Sequence, residues 1–134
     1  MSKMIIEIVT PERVVYSGDA TMVIARGVKG ELGILPNHTP LVTPLKIAPV
    51  RIKQEGDKET IIAVSGGFME VRGQTVTILA EAAEQSDSID TARAELAKQR
   101  AENRLNEKVP DLDVQRAEYA LQRAIVRLDA VRHK

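Results

Sequence analysis

The chain has 134 residues and no cysteine, which excludes disulfides and thiolate zinc sites and fits a reducing compartment. It has no tryptophan, and its aromatics are Tyr16, Phe68 and Tyr119, too few for a base-stacking or sugar-binding platform. No apolar run approaches the roughly 20 residues of a membrane helix. No charged segment leads into a long apolar core, so a secretory leader is not expected either. An excess of one charge is also missing. Lys plus Arg and Asp plus Glu both number 19, so no global field draws the chain to nucleic acid or an anionic bilayer. The protein is expected to be soluble or peripheral to something else. The two histidines, His38 and His133, lie far apart without ligand spacing, and no metal site is expected.

What is present divides in two. Residues 1–86 carry nine basic and ten acidic groups and short β-branched runs broken by Gly and Pro. Met4 to Thr10, Arg13 to Gly18 and Ala20 to Arg26 read as strands, the first stopped by Pro11. Pro49–Lys53 and Thr60–Val64 flank a polar hairpin loop, and Phe68–Arg72 and Thr75–Leu79 alternate around Gly73-Gln74. Many short strands at close spacing predict an antiparallel sandwich or barrel.

Two glycine-bearing stretches invite a functional test. Gly30 to Pro40 lacks the Gly-Lys-Ser/Thr ending of a phosphate loop, and no helix follows it. It reads as tight turns with Leu32, Ile34 and Leu35 tucked inward. Ser65-Gly66-Gly67 has Ala at position 63 and no following helix, so it is not a nucleophile elbow. A bulge or a close backbone approach explains it better. No catalytic constellation remains in this half.

Residues 87–134 are Ala-, Arg- and Glu-rich with helical periodicity. Asp87 or Ser88 is the expected cap of a first helix that stops near Asn106 to Pro110; Asp111 or Asp113 starts a second that runs to about Arg132. Val114, Ala117, Leu121, Ala124, Leu128 and Val131 step by three and four, with Ala120 and Ile125 widening the stripe. An alanine-rich seam buries about half the area of a leucine one or less. A hairpin so held could open onto a partner that offered a better surface.

Arg93, Arg100 and Arg104 are spaced by seven and four, and Arg116, Arg123 and Arg127 repeat the pattern. A turn centred near Lys108 would set Arg93 opposite Arg123 and Arg100 opposite Arg116. Two readings stay open: solvated basic faces, or guanidiniums converging on phosphate groups, which they match in bidentate geometry. Glu84 and Asp90 at the rim could meet the donors of a base or orient Arg93. Nothing beside them supplies a nucleophile, base or metal, which predicts binding without turnover.

Val9-Thr10-Pro11, the run Gly30-Glu31-Leu32-Gly33-Ile34-Leu35-Pro36-Asn37-His38-Thr39-Pro40-Leu41, Ser65 to Val71 and Val76 to Ala80 closely resemble the epsilon subunit of bacterial F-type ATP synthases, of the Bacillus type. The resemblance implies an α+β chain: an antiparallel β-sandwich over 1–86 and a two-helix antiparallel hairpin over 87–134. It implies a non-catalytic rotor-stalk subunit against gamma and the c-ring. Such a subunit is peripheral on the cytoplasmic side of the cell membrane, meets the membrane only through the complex and binds no nucleic acid. It further implies that the hairpin extends to inhibit ATP hydrolysis, with Arg116, Arg123, Arg127 and Arg132 meeting the alpha and beta subunits. Ile89-Asp90-Thr91-Ala92-Arg93-Ala94 matches the ATP-binding motif of some members. The same resemblance puts Glu84 and Asp90 near adenine, and Arg93, Arg100, Arg123 and Arg127 near phosphates. ATP is then a regulatory ligand and no cofactor is required. The rival reading is a stand-alone adaptor whose basic helix docks on acidic partners or nucleic acid.

Overall fold

Two long strands organise the sheet. β5 (Leu41–Gln54) and β6 (Lys58–Arg72) pair antiparallel along their length, in a computed structural model that describes residues 3–107 and 113–132. A 3-10 turn at Glu55–Asp57 joins them. Around this hairpin stand β1 (Met4–Val9), β2 (Val14–Ala20), β3 (Met22–Gly27), β4 (Gly30–Ile34), β7 (Thr75–Ala80) and β8 (Ala83–Gln85). The sheet order is β2-β1-β7-β6-β5-β3-β4, with β8 on β6.

β6 serves both layers of a sandwich. Its C-terminal half pairs with β7 through Gly67–Arg72, and its N-terminal half pairs with β8 through Ile62–Val64. Between them the strand bends at Gly66 and Gly67, whose φ values are 83° and 126°. A Cβ on Gly67 would lie 2.1 Å from the Leu79 carbonyl oxygen. The expected close backbone approach is therefore present, within one continuous strand.

Alternation along the strands fills the space between the layers. Ile6, Ile8, Met69, Val71, Val76 and Ile78 meet Val23, Ile34, Val50, Ile52, Ile62 and Val64 in one buried cluster. Three details differ from the sequence reading. β1 runs parallel to β7, so the sandwich is antiparallel except at that pair. The first half of the Gly30–Pro40 stretch, Gly30–Ile34, is a strand paired with β3, while Pro36-Asn37 form a turn, and Leu35 points outward while Ile34 is buried. The short strand β8 was not anticipated; it is pinned by its ladder to β6 and by Gln85 Nε2 donating to the Val15 carbonyl at 2.9 Å. His38 lies in a turn, as expected, its amide donating to the Leu35 carbonyl at 3.2 Å.

β5 also carries an irregularity. It pairs with β3 at Arg51–Lys53 and again only at Leu45, so residues 46–50 face just residues 25 and 26 of β3. Pro49 sits inside this gap, where its missing N–H breaks no ladder bond with β3.

The two helices are α1 (Thr91–Asn106) and α2 (Val114–Arg132). Asp90, rather than Asp87 or Ser88, caps α1; its carboxylate accepts from the Arg93 amide at 3.1 Å. A 3-10 turn at Ser86–Ser88 occupies the earlier positions. Asp113 caps α2 by accepting from the Arg116 amide at 3.0 Å, while Asp111, the other candidate, lies outside the described residues. Ala94 and Ala101 of α1 are buried, as are Ala117, Ala124 and Leu128 of α2, in an alanine-rich interhelical seam. Val114 at one end of the expected stripe is half exposed.

Gly67→Ala combines a forbidden φ with a clash against backbone. It should cost about 3 kcal/mol or more in urea unfolding, against about 1–2 kcal/mol for Gly73→Ala, whose φ of 59° is also left-handed but whose Cβ would meet open space.

Candidate functional site

The joint between sandwich and hairpin brings Glu84 of β8 to Arg127 of α2 and buries Ile89 against the sheet. Along β6, Ile61, Ile62, Ala63 and Val64 are all buried. Ile62 and Val64 face the sandwich core, whereas Ile61 and Ala63 face outward into a second cluster with Ile89, Val126 and Ala130. Ile47 and Val131 pack against its edge. The hairpin is thus folded down, with α2 lying on β5 and β6. Val126 and Ala130 form a second apolar stripe on α2 beside the interhelical one. The sequence reading missed it, although the uninterrupted apolar run on β6 signalled a strand covered on both faces.

Glu84 stands on this outer face, opposite Ala63 in the β8–β6 ladder. Its Oε1 accepts from Arg127 Nε at 2.6 Å, with the two side chains 33 % and 37 % exposed. Glu84 therefore pairs with Arg127 on α2 and does not orient Arg93. Asp90 orients Arg93 only through the backbone, as the helix cap. Ile89 has a role composition did not suggest: it is buried against Ile61 and Val126, anchoring the start of the hairpin to the sheet. Ala94 is buried at the first turn of α1.

The arginines keep their side chains near solvent. Arg93, Arg100, Arg116 and Arg123 are exposed and Arg127 is half-buried. At about 100° per residue, Arg116, Arg123 and Arg127 fall within about 40° of one another, a single basic stripe on α2. The described helix ends, Asn106 and Val114, are centred two residues beyond Lys108. That shift moves the level of Arg93 from Arg123 toward Arg127. The side chain of Arg132 lies outside the described residues.

A cavity of about 1050 Å³ opens between α2, the β5 irregularity and the β6 bend. Arg26, Lys46 and Arg123 give it basic groups, Glu81 and Asp129 acidic ones, and Phe68, Tyr119 and Ile125 apolar walls. Of the expected ATP-site residues only Arg123 lines it; Glu84, Asp90, Arg93, Arg100 and Arg127 do not. The joint and the cavity are separate places. Among the described residues no group of three or more His, Asp or Glu side chains could hold a metal ion. No described helix is long and apolar enough to cross a membrane.

The opposite layer has a feature the strand-by-strand reading could not supply. Val14, Val9, Leu79, Phe68 and Pro44 are register neighbours across β2, β1, β7, β6 and β5. Val14, Leu79 and Phe68 are each more than half exposed, so an apolar row crosses the outer face. Glu7 and Glu70 stand one row away, on either side of Thr77.

Removing the cap at the joint is measurable. Asp90→Ala should cost about 1 kcal/mol in thermal or urea unfolding and raise amide exchange at Arg93 and Ala94 first.

Comparison with known proteins places these features. The family model for the ATP synthase Delta/Epsilon chain beta-sandwich domain matches residues 3–86. The one for the long alpha-helix domain of the same chain matches residues 87–132. The chain is 72 % identical to the ATP synthase epsilon chain of Brevibacillus brevis over 97 % of its length and 98 % of that protein's. It is 57 % identical to that of Bacillus subtilis, over 93 % and 94 %. In structure it resembles a chain of the Euglena gracilis mitochondrial ATP synthase, in a complex of OSCP, F1 and c-ring, at TM-score 0.83 and 22 % identity, covering 99 % of this chain and 83 % of that one. A chain of the Tetrahymena thermophila mitochondrial ATP synthase central stalk and c-ring aligns at TM-score 0.59 and 18 % identity, over 97 % of each.

Proposed function

The chain belongs to the ATP synthase epsilon chain family, and from that premise we propose a rotor-stalk subunit that links gamma to the c-ring, restrains ATP hydrolysis through mobile C-terminal helices, and senses ATP in the folded hairpin. The epsilon chain is a non-catalytic subunit of the proton-transporting ATP synthase, part of its central stalk with the c-ring and F1. It belongs to a membrane complex and needs no span of its own.

The sandwich is the docking half. The row Val14–Val9–Leu79–Phe68–Pro44 is an apolar strip about 19 Å long at the usual interstrand spacing, which suits an apolar ridge of gamma edged by basic residues. The hairpin, residues 87–134, is the regulatory half, and the boundary at 86 and 87 is its hinge. In the extended state the stripe Arg116–Arg123–Arg127, with Arg132, meets acidic segments of the alpha and beta subunits.

One observation carries the sensor reading. Glu84 on β8 meets Arg127 on α2 because the hairpin is folded down, and the helix cap Asp90 and Arg93 of α1 follow within nine residues of Glu84 in the chain. A ligand that needs all four elements binds the folded state better than the extended one, and by differential affinity shifts the population toward it. In this reading Arg93, Arg100, Arg123 and Arg127 take the phosphates while Glu84 and Asp90 face the adenine. ATP binding would then lift inhibition without being consumed.

Isothermal titration of ATP into the isolated chain should give one saturable site at millimolar ATP or below. Asp90→Ala with Arg93→Ala should abolish the heat. No heat for the wild type removes the sensor role and leaves the family assignment standing. For the docking half, the wild-type chain should co-purify with gamma, and Phe68→Ser should weaken that complex about tenfold or more. A chain that ignores gamma yet shifts DNA at physiological salt would instead support the stand-alone adaptor.

A further inference from the structure

We propose that the Glu84–Arg127 ion pair is a clamp that holds the hairpin on the sandwich before any nucleotide arrives. It rests on the reading that the hairpin can lift, and it extends that reading to the ligand-free protein.

The pair spans the hinge. Glu84 lies just before the 3-10 turn Ser86–Ser88 that leads into α1, on a strand held rigid by β6 and by the Gln85 bond to β2. Arg127 lies in α2, the far arm of the hairpin. Lifting the arm must break their 2.6 Å contact. Four further ion pairs lie away from the hinge: Lys3–Glu55, Arg51–Glu59 and Arg72–Glu70 within the sandwich, and Lys98–Glu102 within α1.

The apolar contact beside the clamp is limited. Ile61, Ala63, Ile89, Val126 and Ala130 form its buried part, two of the five being alanines, and Ile47 and Val131 pack at its edge. A charge-assisted hydrogen bond at its edge, only partly withdrawn from water, adds a modest further bias toward closure. Arg127 is thereby engaged by the protein in the ligand-free state. An arriving phosphate has to share or displace Glu84, which couples ligand binding to the contact that governs the hinge.

Because the chain has no cysteine, a single introduced thiol reports on opening. Ala63→Cys puts one on the face covered by α2, and Val64→Cys puts one in the sandwich core. In ligand-free protein, the thiol at 63 should react with a soluble disulfide reagent faster than the thiol at 64. Glu84→Gln should speed labelling at 63 about two- to fivefold and leave 64 unchanged. Glu81→Gln, the same charge change on the neighbouring loop, should alter neither. Exchanging the charges, Glu84→Arg with Arg127→Glu, should return labelling at 63 toward wild type. Unchanged labelling at 63 in Glu84→Gln overturns the clamp, and so does an acceleration that charge exchange fails to reverse. Equal labelling at 63 and 64 in the wild type would mean that the hairpin does not lift separately, and the mobile-hairpin reading would fall with the clamp.

Discussion

The burial of both faces of β6 is the constraint from which the rest follows. Ile62 and Val64 complete the sandwich core, and Ile61 and Ala63 on the opposite face require a cover of their own. A sandwich with one solvated outer layer needs no further element. Here the second layer is apolar on both sides, and α2 supplies the cover through Val126 and Ala130. The hairpin therefore has a defined seat, and departure from it exposes apolar surface that some partner must cover.

The seat is built from small residues. At roughly 25 cal/mol per Å² of apolar area, alanine-lined contacts at Ala63 and Ala130, and at Ala94, Ala101, Ala117 and Ala124 between the helices, are worth far less than leucine-lined ones. Contrast the sandwich, where isoleucine, valine and methionine fill both inner faces. One half of the molecule is packed more tightly than the other, which suits the proposed rearrangement of the hairpin. The difference lies in side-chain volume alone, since both halves are regular secondary structure.

Much of this was legible in the chain. The β-branched runs gave most strands, Gly73-Gln74 gave the β6–β7 hairpin, and Asn106 and Asp113 marked the inner helix ends, because those signals are local. Failures came where the decisive partner was distant in sequence. Gly30–Ile34 looked like turns, as residues 36–37 are, until β3 was beside it. β8 is three residues long and exists because β6 offers an edge. Asp87 is as good a cap by type as Asp90, but the 3-10 turn displaces the helix start. The Arg116–Arg123–Arg127 stripe could be read from spacing, whereas the choice of Arg127 by Glu84 could not, because it depends on how far α2 slides along the sheet.

The stretch from Glu84 to Ala94 concentrates these effects. Within eleven residues the chain leaves the sheet, makes a 3-10 turn, buries Ile89, caps a helix with Asp90 and begins the seam with Ala94. Each step is local, yet Glu84 and Ile89 complete their contacts only with α2, more than thirty residues later. A segment whose partners are supplied by a distant, weakly packed arm has its interactions fully formed in one arrangement of that arm and broken in the other. Two such arrangements, unequally favoured by whatever binds at the joint, are what a switch requires. The folded arrangement rests on an apolar seat and a charge pair at that joint.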